Sequence, residues 1–116
     1  MSSEEQKVKQ YMAIHRFAQM SAQKVRPFAD MIREKNAEDA LDQLRYCPNR
    51  GARMLEKVLK SAMGNAIEQH DPAPEELRVI DVRVDGGPIS RRWRPKSRGM
   101  STVIKKRTCH ISVTLE

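Results

Sequence analysis

The chain has 116 residues, of which 39% are hydrophobic and 32% charged, and its formal net charge is +7. This length favours one small domain with a modest core, and the positive charge favours a polyanionic partner over a neutral one. No apolar run approaches the ~20 residues of a membrane span, and the polar start "MSSEEQKVKQ" is unlike a signal peptide. We therefore expect a soluble cytoplasmic protein without membrane contact.

The sequence contains neither a metal-binding motif nor a complete catalytic motif. The two cysteines form no CxxC pair, and they and the three histidines show no metal-ligand spacing. The stretch "SAQK" at 21–24 matches the short pattern of serine acyl-enzymes, but its companions Ser-Asp-Asn and Lys-Thr-Gly are absent. We therefore expect no metal, no cofactor and no enzymatic activity.

The first half of the chain predicts a strand followed by helices. Residues 1–9 are polar and are expected to be frayed, whereas "YMAIHRFA" at 11–18 is typical of a strand. Ser21 is a suitable N-cap for a helix running to about Arg33, in which Pro27 either kinks the helix or marks its first turn. Asn36 is the predicted N-cap of a second helix, which "CPN" ends.

The second half predicts one long helix and two strands. Apolar residues recur every three or four positions over about 50–70, which indicates an amphipathic helix that "DPAPEE" ends. The stretches "LRVIDVRVD" at 77–85 and "TVIKKRTCHISVTLE" at 102–116 are predicted strands. Helices grouped before a hairpin predict an α+β fold with the helices on one face of the sheet.

The segment between the two predicted strands holds the excess charge. Residues 86–107 contain eight Lys or Arg and no Asp or Glu, which leaves 14 basic and 15 acidic residues elsewhere. A two-stranded ribbon of this composition is marginal in water alone, and phosphate is the counter-charge that Arg binds bidentately. Trp93 could stack on an unpaired base. A disordered tail, a membrane-surface patch, or a core position for Trp93 remain alternatives.

Four motifs together carry a family resemblance. They are "SAQKVR" at 21–26, "EKVLKSAMGNA" at 56–66, "VDGGPISRRWRPKSRG" at 84–99 and "IKKRTCHISV" at 104–113. Over about residues 11–115 the chain resembles the universal large-subunit ribosomal protein L twenty-two family in its bacterial form. It departs from the family pattern at Pro27, at Met100, where Arg is common, and at Lys96-Ser97.

The resemblance implies three helices on a three-stranded antiparallel sheet, with a long protruding β-hairpin. It implies a single domain, 1–116, in which 10–84 and 103–116 are globular and 85–105 form the hairpin. Such proteins bind 23S ribosomal RNA during early assembly of the large (50S) subunit, with the globular part near the polypeptide exit. The hairpin lines the nascent-peptide tunnel, close to its constriction with ribosomal protein L four. Expected partners are therefore 23S ribosomal RNA, neighbouring ribosomal proteins and the nascent polypeptide, with the protein monomeric within the ribosome.

Basic charge and the resemblance together select the candidate contacts. On the globular part, the candidate contacts with ribosomal RNA are His15, Arg16, Ser21, Lys24 and Arg26. On the hairpin they are Arg91, Arg92, Trp93, Arg94, Lys96, Arg98, Lys105, Lys106, Arg107 and His110. The expected tunnel-lining tip residues are Arg92, Trp93, Arg94 and Met100. The rival hypotheses are a dimeric module whose ribbon reads a duplex groove, and an enzyme, which would need a pocket of perturbed titratable groups.

Overall fold

The computed structural model describes residues 10–116, apart from the side chain of Pro74, so the expectation for residues 1–9 lies outside the described residues. The predicted fold class is confirmed: three helices accompany an antiparallel sheet and a hairpin. The elements in chain order are β1 Tyr11–Ala18, α1 Ala22–Ile32, α2 Ala37–Tyr46, α3 Arg50–His70, β2 Val79–Gly86, β3 Ser90–Pro95, β4 Ser101–Lys106 and β5 Cys109–Leu115.

The main sheet has the strand order β1-β5-β2, and both pairs are antiparallel. Alternate side chains of a strand point to the same face. The central strand β5 therefore buries Cys109, Ile111, Val113 and Leu115 completely on one face. The helices cover this face, with α3 packed on β1 and β5 and α1 packed on β2.

The face of the main sheet opposite the helices is open, since no other element of the described residues covers it, and it carries both apolar and charged side chains. Met12 and Ile14 of β1 are about half exposed there. On β2, Arg83 Nε donates to Asp81 Oδ2 at 3.0 Å, so the exposed guanidinium already has a carboxylate partner on its own strand. This face is therefore chemically unlike the basic segment, and Arg83 lines this face and not the ribbon.

The helices begin and end close to their predicted positions, with one difference at a cap. Ser21 stands at the N-cap of α1, but its side chain makes no capping hydrogen bond. Asn36 does cap α2, because its side-chain oxygen accepts the N–H of Glu38 at 3.0 Å. Pro27 lies inside α1 beyond the first turn, so the first-turn interpretation is wrong. At the other end of the helical region, Asp71 adopts a left-handed conformation and ends α3.

The strands β3 and β4 pair with each other and form a separate two-stranded sheet, here called the ribbon, residues 90–106. The predicted continuous strand over 102–116 is therefore wrong, because the chain leaves the main sheet at residues 107–108. Three residues, 87–89, connect the ribbon to β2, but only two connect it to β5. The two connections differ in length by one residue, and the ladder of the ribbon is separate from that of the main sheet. The molecule measures 73 × 32 × 22 Å.

A small hydrogen-bonded neck joins the ribbon to the main sheet. The N–H of Gly87 donates to the carbonyl oxygen of Thr108 at 2.9 Å, and Thr108 Oγ1 donates to the carbonyl oxygen of Pro88 at 2.7 Å. A Cβ at position 87 would lie 2.5 Å from Thr108 Oγ1. Glycine is therefore required at position 87 for the two connections to approach this closely.

Candidate nucleic-acid interface

The ribbon has two faces with different chemistry, because successive side chains of a strand alternate. On one face Arg92 lies opposite Ile104, and Arg94 lies opposite Thr102. On the other face Trp93 lies opposite Val103. An aromatic and a β-branched side chain in this arrangement contribute roughly 0.2–1 kcal/mol. The ribbon therefore has one favourable apolar pair and no core of its own.

Charge repulsion acts against this ribbon. Arg91 and Lys105 lie directly opposite each other, and like charges in that arrangement are destabilising. Every ribbon residue except Ile104 is exposed, and Trp93 is 69% exposed. The core position for Trp93, left open from the sequence, is therefore wrong. Both the charges and the indole ring are available to a partner.

A groove of about 870 Å³ lies where the base of the ribbon meets the starts of α1 and α3. Among the described residues, its lining includes no carboxylate. Its uncharged lining residues are Gln19, Ser21, Gln23, Ser90 and Thr108, and its six cations are Lys24, Arg50, Arg92, Lys105, Lys106 and Arg107. A concave surface lined by one sign of charge concentrates the electrostatic field and attracts counter-ions of the opposite sign. The groove is thus suited to a polyanion.

Close packing of α3 on α1 brings two of these cations together. A Cβ at Gly51 would lie 2.9 Å from the carbonyl oxygen of Lys24 and 3.3 Å from the ring of Phe28. Only a residue without a side chain permits this approach. Arg50, the first residue of α3, is therefore held beside the first turn of α1.

The two helices that start at the groove also lack negative charge at their N-termini. The first turns of α1 and α3 contain no acidic residue, whereas α2 has Glu38 and Asp39 in that position. The partial positive charge of the helix dipole is therefore not compensated by a carboxylate in α1 or α3. It adds to the positive field that the six side chains of the groove produce.

The structure brings six of the predicted contact residues into the groove and separates the others from it. Those in the groove are Ser21, Lys24, Arg92, Lys105, Lys106 and Arg107. Those exposed elsewhere on the ribbon and its turn are Arg91, Trp93, Arg94, Lys96 and Arg98. His15 and Arg16 lie on β1, where His15 lines a small depression with Lys57 of α3.

Two predicted contact residues also have partners within the protein. Arg26 donates from Nε and Nη2 to the carbonyl oxygen of Val84, both at 3.3 Å, and so ties α1 to β2. His110 Nδ1 accepts the backbone N–H of Phe17 at 3.0 Å, and the two rings meet edge to face with centroids 4.9 Å apart. Phe17 has a φ of 58° at an irregularity in the pairing of β1 with β5. His110 thus satisfies a donor that this irregularity leaves unpaired.

The model of the family described as ribosomal protein L22p/L17e matches residues 13–116. The chain belongs to the ribosomal protein L22p/L17e family. It is 53% identical to large ribosomal subunit protein uL22 of Rhodopirellula baltica, with 91% of this chain and 93% of that protein covered. Identity to the proteins of the same name is 46% for Thermus thermophilus, covering 89% and 91%, and 42% for Caldicellulosiruptor saccharolyticus, covering 94% and 89%. The family expected from the sequence is confirmed.

In this member of the L22p/L17e family the turn of the ribbon is formed by residues 96–100. Arg98 and Gly99 both have positive φ, 61° and 71°, and the N–H of Lys96 donates to the carbonyl oxygen of Met100 at 2.6 Å. Of the four predicted tip residues, Met100 lies in this turn, whereas Arg92, Trp93 and Arg94 lie on β3. That these residues line the nascent-peptide tunnel stays a prediction.

Sequence reasoning missed Arg50 and Gly51 in this family member. Their importance depends on tertiary packing, because the groove forms only when the start of α3 meets α1 and the ribbon base. One local signal was available, since Arg50 begins a helix whose first turn has no acidic residue. An uncompensated cation at that position is unfavourable for an isolated helix, which points to an external anion.

Residues 10–116 contain no group of three or more His, Cys, Asp or Glu side chains placed to hold a metal ion. Among the same residues, no helix has the length and apolarity that crossing a membrane requires.

Proposed function

We propose that this chain is a structural constituent of the large ribosomal subunit and binds 23S ribosomal RNA through the groove and the ribbon. The observation that carries the proposal is a groove lined by six cations and, among the described residues, by no carboxylate. The groove is continuous with the ribbon through Arg92, Lys105 and Lys106, which belong to both. The relatives named large ribosomal subunit protein uL22 support the same assignment.

The mechanism is electrostatic. Each Lys or Arg that neutralises a phosphate releases condensed counterions, and this release favours binding most at low salt. RNA phosphates also screen the repulsion between Arg91 and Lys105 on the ribbon. Ordering of the ribbon is therefore coupled to binding. The protein's contribution to the subunit is to position RNA segments, without catalysis.

We further propose where each part of the protein lies in the large ribosomal subunit. The globular part is placed near the polypeptide exit, and the ribbon reaches inward, lines the nascent-peptide tunnel and contacts neighbouring ribosomal proteins. The protein joins early in subunit assembly as a monomer and belongs to the ribosome of the cytoplasm. The elongated shape, 73 Å in its longest dimension, and the exposed ribbon support this arrangement.

Binding to protein-free 23S ribosomal RNA at increasing salt tests the proposal. With ~6–8 phosphates neutralised, affinity is expected to fall about 10³- to 10⁴-fold between ~50 and ~200 mM salt. Changing Lys105 and Lys106 together to Gln should make the slope of log K against log salt shallower by about two, because two phosphate contacts are lost.

The matched control is Arg83→Gln, which removes a cation from the open face of the main sheet and should leave the slope unchanged. Duplex DNA added as a competitor distinguishes the rival hypothesis of a duplex-reading module. A flat salt response of the wild-type protein, or preferential binding to duplex DNA, would contradict the proposal.

A further inference from the structure

Tyr46, the last residue of α2, is 89% exposed and so more exposed than Trp93 of the ribbon. Its ring adds almost nothing to the core, and neither the sequence motifs nor the predicted contacts included it. A single exposed ring is ordinary on a protein surface, so the case for a partner depends on the surroundings of Tyr46. The environment of Tyr46 indicates the nature of that partner.

The backbone on both sides of Tyr46 is held rigidly by one guanidinium group. Arg53 Nη2 donates to the carbonyl oxygens of Leu44, Arg45 and Cys47 at 2.6, 2.9 and 2.5 Å. Arg53 Nη1 in turn donates to the carboxylate of Glu56 at 2.6 Å. The backbone that carries the ring is therefore ordered by hydrogen bonds, so binding does not have to order this turn as well as the side chain.

The turn that carries Tyr46 is positively charged. Residues 45–53, "RYCPNRGAR", contain three Arg and no carboxylate. Arg53 is occupied by the turn itself, and Arg45 lies 3.7 Å from Glu56. Arg50 lines the cationic groove, where the packing of Gly51 holds it beside Lys24. An exposed aromatic ring thus lies four residues from a cation of the groove.

We propose that the turn from α2 to α3 is a further RNA contact, in which Tyr46 stacks on an unpaired base and Arg50 binds a phosphate. The inference rests on the proposed function, and it adds base stacking to the phosphate contacts proposed there. Bases within a duplex do not expose their faces, so the ligand is a single-stranded or bulged nucleotide of the RNA whose backbone enters the groove. Arg45 and Arg53 have carboxylate partners, whereas Arg50 has none among the described residues, and its free charge favours this ligand over an uncharged protein surface.

Substitution of Tyr46 tests the stacking half of the proposal. In the full-length protein with protein-free 23S ribosomal RNA as the probe, Tyr46→Ala should weaken binding about 5- to 150-fold. The salt slope should stay unchanged, because no phosphate contact is removed. Tyr46→Phe keeps the ring and should bind like the wild type. Equal binding by Tyr46→Ala and the wild type would overturn the stacking contact.

Substitution of Arg50 tests the phosphate half. Arg50→Gln should make the salt slope shallower by about one, whereas Arg83→Gln, on the open sheet face, should not. An unchanged slope for Arg50→Gln would overturn this contact. Thermal unfolding of each variant separates loss of binding from loss of folding.

Failure of the inference is distinguishable from failure of the proposed function. If the wild-type protein binds the RNA with a steep salt dependence but the Tyr46 and Arg50 variants match it, only the inference is overturned. If the wild-type protein shows no salt-dependent binding at all, the proposed function is overturned and the inference with it.

Discussion

Glu56 is a buried carboxylate on α3 that holds three basic side chains around it. It is 8% exposed, and it accepts Arg53 Nη1 at 2.6 Å and Lys60 Nζ at 3.2 Å, with Arg45 Nε 3.7 Å away. Burial by itself raises the pKa of the Glu56 carboxyl, but the hydrogen bond and charge of Lys60 and the charges of Arg53 and Arg45 outweigh it. The pKa is therefore lower than the ordinary value of 4.5.

The lowered pKa of Glu56 predicts a pH-dependent contribution to stability. The contribution is fully present above the ordinary value of 4.5 and is lost as the pH falls through the lowered pKa of the folded state. At pH 7, Glu56→Gln should reduce the free energy of unfolding by about 0.5–1.5 kcal/mol, because three half-exposed basic groups lose a buried, charged acceptor. The difference from the wild type should shrink in acid below pH 4.5.

Urea unfolding of the wild type and Glu56→Gln at neutral and acid pH measures this difference. Glu68→Gln is the matched control, since Glu68 is exposed on the same helix, and it should change stability by less than about 0.5 kcal/mol. A stability difference for Glu56→Gln that is the same at both pH values would show that the carboxylate charge is not responsible.

At the scale of elements, α3 contains two glycines in opposite environments. Gly51, at its start, lies against α1, where a Cβ would meet the carbonyl oxygen of Lys24 at 2.9 Å. Gly64, in its last third, has no atom of the described residues within 4 Å of the same ideal Cβ. The first glycine is required by packing, whereas the second only adds backbone freedom to the unfolded chain.

Alanine substitutions at these glycines should have effects of opposite sign. Gly64→Ala is expected to raise the free energy of unfolding by about 0.5–1 kcal/mol, because Ala has the higher helix propensity. Gly51→Ala should lower it by about 1–3 kcal/mol, because the added methyl group separates α3 from α1. Thermal or urea unfolding measures both, and a stabilising Gly51→Ala would contradict the described packing.

At the scale of the whole molecule, apolar burial and positive charge occupy different parts of the chain. The buried apolar side chains lie between residues 11 and 84 or between 109 and 115. The eight cations that lack intervening carboxylates lie between 91 and 107. Stability should therefore come from the globular part and affinity for RNA mainly from the ribbon.

Replacement of residues 88–107 by Asn-Gly tests this separation. Gly87 and Thr108 are already hydrogen-bonded between adjacent strands, and a two-residue Asn-Gly loop closes such a hairpin well. The shortened protein should unfold within about 1–2 kcal/mol of the wild type, because no residue of the buried core is removed. Its affinity for 23S ribosomal RNA should fall by several orders of magnitude at low salt. Unfolding of the shortened protein would show that the ribbon supports the core.

The sequence predicted the individual helices and strands better than the tertiary contacts between them. Helix periodicity, the cap at Asn36 and the stretch "DPAPEE" placed α2 and α3 within a residue or two. The break at residues 107–108 escaped prediction, because residues 102–116 contain no Gly or Pro and β-branched residues lie on both sides of the break. The groove was missed as a unit, since Arg50 reaches Lys24 only through the tertiary contact of Gly51. Composition identified the cations, but their convergence required the fold.

The chain contains one tryptophan, and it lies on the ribbon with its ring mostly in water. Tryptophan emission from this protein therefore reports the surroundings of the ribbon, with little contribution from the core. Heating that melts the helices and the main sheet should change the emission maximum only slightly, whereas a base stacked on the indole should quench it. One intrinsic fluorophore thus separates ligand docking from global denaturation without any added label.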